Sequence, residues 1–533
     1  MPDPTATGES GPLETEAVHT RRIVTVSIIA ALGGFLFGYD SSVINGANKA
    51  VFYQFQVANG FEQGFVVAVA LLGSALGALV GGRLADRYGR KRVMVVAAVL
   101  FLVAGIGTAF PFGVYDFMLW RVVGGVAIGL AAVISPMYIS EVAPAHLRGR
   151  LTSLFQLAIV VGIFATQLVN EVISRFTPNS PQQPMRNPDV PPRQANNVLA
   201  LNLEAWQWMF ICMVVPAVVY WALSLTIPES PRFLVARHRE EEATEVLATI
   251  YVHEPSAKVA SIRNSLDGEV RSGMRDLRGA ALGLKPIVWI GITMAILQQF
   301  VGINAVFYYS NLIWAAVGFD ESKAFLTSTI ISAVNVVFTL VAIGFVDRIG
   351  RRPLLLIGSI GMFVTLGILT LVFQTAPKCT QAILDAGGQS GCAGQSELNT
   401  PILGVTEGRI SVLALNAFVA FFASTWGPVL WVMLAEMFPN RMRAAALSIA
   451  VMANWIANFI VSMSFPGLVQ VSLGLAYGLF TAFALLSFFY VKKYVRETNG
   501  VELEDMAELE AVRASRAAPI TTALRDGPPT AAP

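Results

Sequence analysis

The chain has 533 residues, of which 55% are hydrophobic and 14% charged, with a mean hydropathy of +0.60 and a net charge of +2. Soluble domains carry about a quarter charged residues, so this composition excludes an ordinary globular enzyme. A near-neutral balance also gives no electrostatic case for nucleic acid.

Residues 1–22 are polar and acidic, lack the basic stretch that opens a cleavable signal, and are expected to form a disordered tail. About twelve apolar runs follow, long enough to cross a ~30 Å hydrocarbon core. They lie near 23–47, 63–84, 92–112, 116–140, 151–173, 206–227, 285–314, 324–346, 353–374, 407–434, 443–468 and 474–492. The chain therefore reads as an all-α, multi-pass membrane protein whose main partner is the lipid bilayer.

The first run contains GGFLFGYDSSVING, with Asp40 inside it. An acid at mid-span costs about 2.5–3.5 kcal/mol on insertion scales and usually faces the bundle interior with a partner. Arg121, in FMLWRVVGG of the fourth run, is the only intramembrane base of the first half. Spans one and four run in opposite directions, which puts both residues near the outer ends at matching depth. The two can form a salt bridge, and because arginine stays protonated the switchable member is Asp40. A purely structural buried pair is the plainer alternative. In the second run Gly73, Gly77 and Gly81 recur at four-residue spacing and suit close helix packing.

Basic residues collect in alternate loops. GRLADRYGRKR (82–92) follows span two, Arg148 and Arg150 follow span four, Arg232 to Arg278 span six, Arg348 to Arg352 span eight, and Arg441 and Arg443 span ten. By the positive-inside rule these loops and both termini are cytoplasmic. Residues 176–205, rich in Pro, Asn and Gln, then form an irregular outer excursion. Residues 375–406, also outside, carry Cys379 and Cys392, either bridged or as two free thiols. Cys212 is most simply a small core residue.

Amides interrupt the later spans: Gln156 in the fifth, Gln298, Gln299 and Asn304 in the seventh, Asn335 in the eighth and Asn454 in the eleventh. Each offers donors and acceptors, which suits an uncharged, hydroxyl-bearing ligand, although helix–helix hydrogen bonding is the commoner use of such a residue. Phe37, Trp431 and Trp455 are candidates to stack on the apolar face of such a ligand, with Tyr308 and Tyr309 gating from outside. A lone Trp is as ordinarily an interfacial anchor.

Three loop motifs recur in order. GRLADRYGRKR is echoed by GFVDRIGRRP (344–353), ISEVAPAHLR by LAEMFPNRMR, and PESPR (228–232) faintly by RETNG (496–500). Two halves of six spans follow, at 23–227 and 285–492, with a linker of short helices at 228–284 and a C-terminal tail at 493–533. Repeated halves place a substrate site between them, near the midplane.

PESPR, QQFVGIN (298–304) and WGPVLW (426–431), in this order, make the chain similar to the sugar porter family of the major facilitator superfamily. The resemblance covers roughly 25–505 and is strongest to bacterial proton–xylose and proton–hexose symporters. It implies a two-half bundle in the plasma membrane that carries a monosaccharide with protons by alternating access; a structural Asp40 would leave uniport instead. The resemblance also implies a monomer that uses no cofactor or metal. Asp40 would be the protonation site, with Gln156, Gln298, Gln299, Asn304, Asn335, Trp431, Asn454, Trp455 and Phe37 contacting sugar.

Ile163 and Asn454 stand where the xylose symporters have glutamine, which favours glucose while leaving xylose or galactose open. The loop charges would latch the cytoplasmic side and break on inward opening: Asp86, Arg87, Arg90, Glu141, Arg148, Glu229 and Arg232 in the first half, and Asp347, Arg348, Arg351, Glu436 and Arg443 in the second. Plain positive-inside anchoring is the alternative. A uniporter, a polyol (inositol) symporter and a non-transporting sugar receptor remain other readings. No phosphate-binding loop, nucleophile–base set or metal spacing among His19, His146, His238 and His253 suggests an enzyme.

Overall fold

The computed structural model describes residues 18–498 except 179–181, 188–189, 253–254, 268–276, 280–281, 317–318, 320, 379–400 and 440–441. The expected pairing of Cys379 with Cys392 lies outside the described residues. Among those described, 12 helical segments are long and apolar enough to cross a membrane.

In the first half these are α1 (Thr20–Phe55), α2 (Gly60–Tyr88), α3 (Arg90–Ala109), α4 (Val114–Val142), α5 (Ala145–Phe176) and the pair α6 (Ala205–Ile211) and α7 (Val214–Thr226). The linker carries α8 (Pro231–Ala236), α9 (Glu240–Ala248) and α10 (Pro255–Asp267). The second half has α11 (Pro286–Phe300) with α12 (Ile303–Ala316), then α13 (Glu321–Ile349) and α14 (Arg351–Thr375). It ends with α15 (Val405–Ser424) and α16 (Trp426–Met437), α17 (Arg443–Val471) and α18 (Leu473–Tyr494).

The seventh and tenth spans are each broken. Val301 and Gly302 separate α11 from α12, and Thr425 separates α15 from α16. Backbone interrupted at membrane depth needs protein around it rather than lipid, and Val301, Gly302 and Thr425 are all buried. Gly302 has φ +85°, and a Cβ there would sit 2.4 Å from the Phe480 ring. Only glycine fits both demands.

Each half packs mainly on itself, α2 against α4 and α1 against α5 in the first, α14 against α18 and α11 against α17 in the second. The halves meet along α2 with α17, α5 with α13, and α1 with α12. Hydrogen bonds between them gather toward the end opposite the basic motifs. Gln470 Oε1 accepts from Gly60 N at 3.0 Å, and Thr329 Oγ1 donates to Gln167 O at 3.2 Å. At the same end Phe65 meets Phe459 edge to face with centroids 6.2 Å apart. These contacts close the molecule at that end.

The excursion at 176–205 is more ordered than its composition predicts. It holds a 3₁₀ turn (Gln194–Asn196) and a hairpin of β1 (Val198–Ala200) with β2 (Leu203–Glu204). Its amides donate to carbonyls near the ends of α5 and α1. Gln194 Nε2 donates to Ser174 O (2.7 Å) and Thr177 O (2.9 Å), and Asn196 Nδ2 donates to Ala50 O (3.1 Å). The linker docks on the first half, where Arg237 Nη2 donates to the carbonyls of Asp86 (3.0 Å) and Arg87 (2.8 Å).

Candidate functional site

Asp40 and Arg121 form an ion pair inside the first half. Arg121 Nη1 lies 2.8 Å from Asp40 Oδ1 and also donates to the Asp40 carbonyl at 3.2 Å. Both residues are 2% exposed. The helix α1 continues to Phe55, beyond the end expected at 47, so Asp40 lies near its centre rather than towards its outer end. Asp40 Oδ2 and Arg121 Nε have no hydrogen-bond partner. The pair is thus incompletely satisfied, as suits a group whose charge state changes.

In the second half four of the amides join into one network around the α11–α12 break. Asn304 Nδ2 donates to Gln299 Oε1 at 2.6 Å, and Gln299 Nε2 donates to Asn454 Oδ1 at 3.2 Å. Asn454 Nδ2 donates in turn to Gln298 Oε1 (2.9 Å) and to Ala295 O (3.0 Å). Gln298 Nε2 donates to the Trp426 carbonyl at 2.8 Å, in the first turn of α16 just after the break. The network is uncharged and rich in both donors and acceptors, the chemistry that hydroxyl groups need.

The remaining candidates stand apart from this network. Gln156 and Ile163 are half-buried on α5, Asn335 is buried on α13, and Trp431 is half-buried on α16. Phe37 and Trp455 meet across the halves with ring centroids 5.8 Å apart. Tyr308 and Tyr309 are buried on α12; Tyr309 Oη donates to Ser462 O at 2.8 Å, and the Tyr308 carbonyl accepts from Asn48 Nδ2 at 3.3 Å.

These observations meet an independent comparison. Residues 26–509 match the family described as Sugar (and other) transporter. The chain belongs to the sugar porter family. It is similar to the glucose transport protein of Synechocystis sp., with 45% identity over 93% of this chain and 99% of that one. It is 34% identical to the D-xylose-proton symporter of Escherichia coli K12, over 91% and 95% of the two chains. The inward open conformation of the E. coli xylose transporter XylE superposes with a TM-score of 0.71 at 32% identity, covering 91% of this chain and 99% of that one. XylE bound to 6-bromo-6-deoxy-D-glucose gives 0.70 at 34%, covering 92% and 99%. The major facilitator fold follows, and the protein is a transporter rather than an enzyme.

The charged loops of this porter form two matching clusters. In the first half Arg90 Nε and Nη2 each lie 2.9 Å from the Glu141 carboxylate, and Asp86 Oδ1 lies 3.1 Å from Arg90 Nη2. Glu229 Oε1 caps α3 by accepting from Arg90 N (2.8 Å) and Lys91 N (3.2 Å), while Ser230 Oγ donates to Glu141 at 2.5 Å. In the second half Arg351 Nη2 lies 2.9 Å from Glu436. Glu497 accepts from Arg351 N (2.9 Å) and Arg352 N (3.0 Å), and Thr498 Oγ1 donates to Glu436 at 2.6 Å.

Gly89 and Gly350, at φ +99° and +92°, lie under the two caps; a Cβ at Gly89 would meet Glu229 Oε2 at 2.2 Å, and one at Gly350 would meet Glu497 Oε2 at 2.9 Å. The faint likeness of PESPR to RETNG is thus an equivalence of acid and hydroxyl. Ser230, Glu497 and Thr498 were missed as members; the acid–hydroxyl pair in both motifs was the available signal.

Two expectations need correction. Arg148 is exposed and makes no ion pair with Glu141, because Arg90 already occupies that carboxylate from two nitrogens. The clusters are also intact while the halves are hydrogen-bonded to each other toward the opposite end. Each arginine–glutamate pair lies within one half and its cap comes from the segment that follows that half, Glu229 and Ser230 from the linker and Glu497 and Thr498 from the C-terminal tail, so separating the halves leaves them whole. Arg443 Nε donates to Phe438 O at 3.1 Å, Arg348 is exposed, Arg232 is half-buried, and Arg87 lies 5.3 Å from the Tyr88 ring centroid. The side chain of Asp347 lies outside the described residues.

Proposed function

We propose that this porter carries a monosaccharide with protons across the plasma membrane by alternating access, as a monomer. The observation that carries the reading is the buried, partly unsatisfied Asp40–Arg121 pair in one half, opposite an uncharged amide network in the other. Asp40 takes the proton. Loss of its charge weakens the grip of Arg121, and the relative stability of the two facing states changes. Gln298, Gln299, Asn304 and Asn454 hold sugar hydroxyls, with Gln156 and Asn335 reaching in from α5 and α13. Phe37, Trp431 and Trp455 offer ring faces, Ile163 sets an apolar wall, and Tyr308 and Tyr309 serve the outer gate.

The basic end faces the cytoplasm by the positive-inside rule, and both termini lie there. The described conformation is then inward-facing, and the two charge clusters brace the cytoplasmic helix ends of their own halves. Relatives named for glucose, xylose and arabinose transport support a monosaccharide. Glucose fits best, since Ile163 and Asn454 depart from the xylose pattern.

The test is uptake of labelled D-glucose and D-xylose into proteoliposomes, with and without an inward proton gradient, for wild type and Asp40→Asn. Gradient-dependent accumulation, lost in the variant while exchange persists, is the expected result. Equal wild-type uptake with and without the gradient would make the protein a uniporter. No uptake of either sugar by folded protein would turn attention to polyols and then to a receptor role.

A further inference from the structure

Asn45 sits five residues after Asp40 on the unbroken helix α1 and is 0% exposed. Its amide is engaged from two helices, α5 and α12. Nδ2 donates to Gln167 Oε1 on α5 at 3.0 Å and to Ser310 Oγ on α12 at 2.9 Å. Oδ1 accepts from the backbone N of Asn311 at 3.0 Å, and the Asn45 carbonyl accepts from Asn311 Nδ2 at 3.2 Å. Ser328 of α13 closes the cluster by donating to Asn311 Oδ1 at 2.7 Å, with its oxygen 2.6 Å from Ser310 Oγ. A single side chain in the first half therefore grips both the backbone and a side chain of α12 in the second.

The same two helices carry the two sites. Asn45 lies about 7.5 Å along α1 from Asp40, at 1.5 Å per residue. Asn311 lies about 10 Å along α12 from Asn304, the amide that donates to Gln299. We infer that Asn45 is the positioning residue that couples the two: a shift of α1 when the Asp40–Arg121 bridge loosens is passed through Asn45 to α12, and so to the sugar network. The reverse path lets bound sugar act on the bridge, since coupling between sites is reciprocal. The grip is buried and oriented, so α1 cannot slide past α12 without breaking several bonds at once. The contact between Phe37 and Trp455 also crosses the halves, but it meets α17 rather than the helix bearing Asn304.

This inference rests on the symport reading, and the two fail differently. Three readouts are taken in proteoliposomes for wild type, Asn45→Ala and Ser310→Ala: exchange of labelled D-glucose, its accumulation under a proton gradient, and proton uptake evoked by D-glucose. Asn45→Ala is expected to keep exchange near the wild-type rate while losing accumulation and glucose-evoked proton uptake. Ser310→Ala, which removes one bond of the set, should lose part of both. A purely structural Asn45 would lower exchange and accumulation together, and that result overturns the inference. Full accumulation in Asn45→Ala overturns it as well. Should Asn45→Ala fail to fold, Ser310→Ala decides alone by the same split. Absence of accumulation in the wild type would instead show that the symport reading had failed, leaving nothing to couple.

Discussion

Gly124 gives the Asp40 carboxylate its room, since a Cβ there would lie 2.7 Å from Oδ2. Gly124→Ala is expected to displace the carboxylate from Arg121 and reduce proton-driven accumulation several-fold, with exchange little changed; parallel accumulation and exchange assays check this. Gln298 both donates and accepts within the amide network. Removing two or three hydrogen bonds of about 0.5–1.5 kcal/mol each should raise the KM for sugar in Gln298→Ala by about tenfold, at 1.4 kcal/mol per factor of ten. An unchanged KM would place the sugar elsewhere.

Burial raises the pKa of Glu204, with hydrogen bonds from Asn196 and Trp206 opposing the shift. An acid raised on folding binds more protons folded than unfolded, so its contribution to stability falls as pH rises from the unfolded value through the folded one. Glu204→Gln should flatten that segment of a thermal-stability profile against pH, and an unaltered slope would remove Glu204 from the account. The candidate amides were legible in the sequence because Gln and Asn are conspicuous in apolar runs. Asn45 was not, since one polar letter says nothing until the backbone N–H that it meets is located.

The helix starts at Arg90 and Arg351 depend on acids from distant segments. Glu229→Ala or Glu497→Ala should each cost about 1 kcal/mol, the usual worth of a cap, with more lost where the paired arginine cluster loosens. Thermal unfolding of each single variant and the double measures it, and additivity is expected because the clusters occupy different halves. Buried Phe325 of α13 lines a small cavity together with Ser174, Thr177, Gln194, Ala205 and Met209 of the first half. Phe325→Ala should weaken closure at this end by about 3 kcal/mol or more, as for other buried Phe truncations. Labelling of a cysteine placed on the outer half of α1 would rise if so, and unchanged labelling would count against that seat. The spans themselves were legible from apolar length, whereas the breaks at Gly302 and Thr425 were not. A broken span has the same composition as a whole one, and only the packed neighbour, Phe480 in the case of Gly302, fixes where it yields.

The two-half plan could be read from the order of three loop motifs, and the structure carries it down to single oxygen atoms. Which end closes could not be read, because the contacts that close it join residues such as Gly60 and Gln470 that lie far apart in sequence and carry no motif. The halves also differ in one respect that their common plan conceals. Among the described residues Asp40 is the one acid buried far from either end of its helix, and it belongs to the first half alone. On the proposed reading, with Asp40 the one proton site, one positive charge moves with each sugar, and the cycle is electrical as well as chemical. A potential of 100 mV is worth about 2.3 kcal/mol per charge, or roughly fiftyfold in sugar concentration at 1.4 kcal/mol per tenfold. Voltage alone, at equal pH on both sides, should then fill vesicles with sugar.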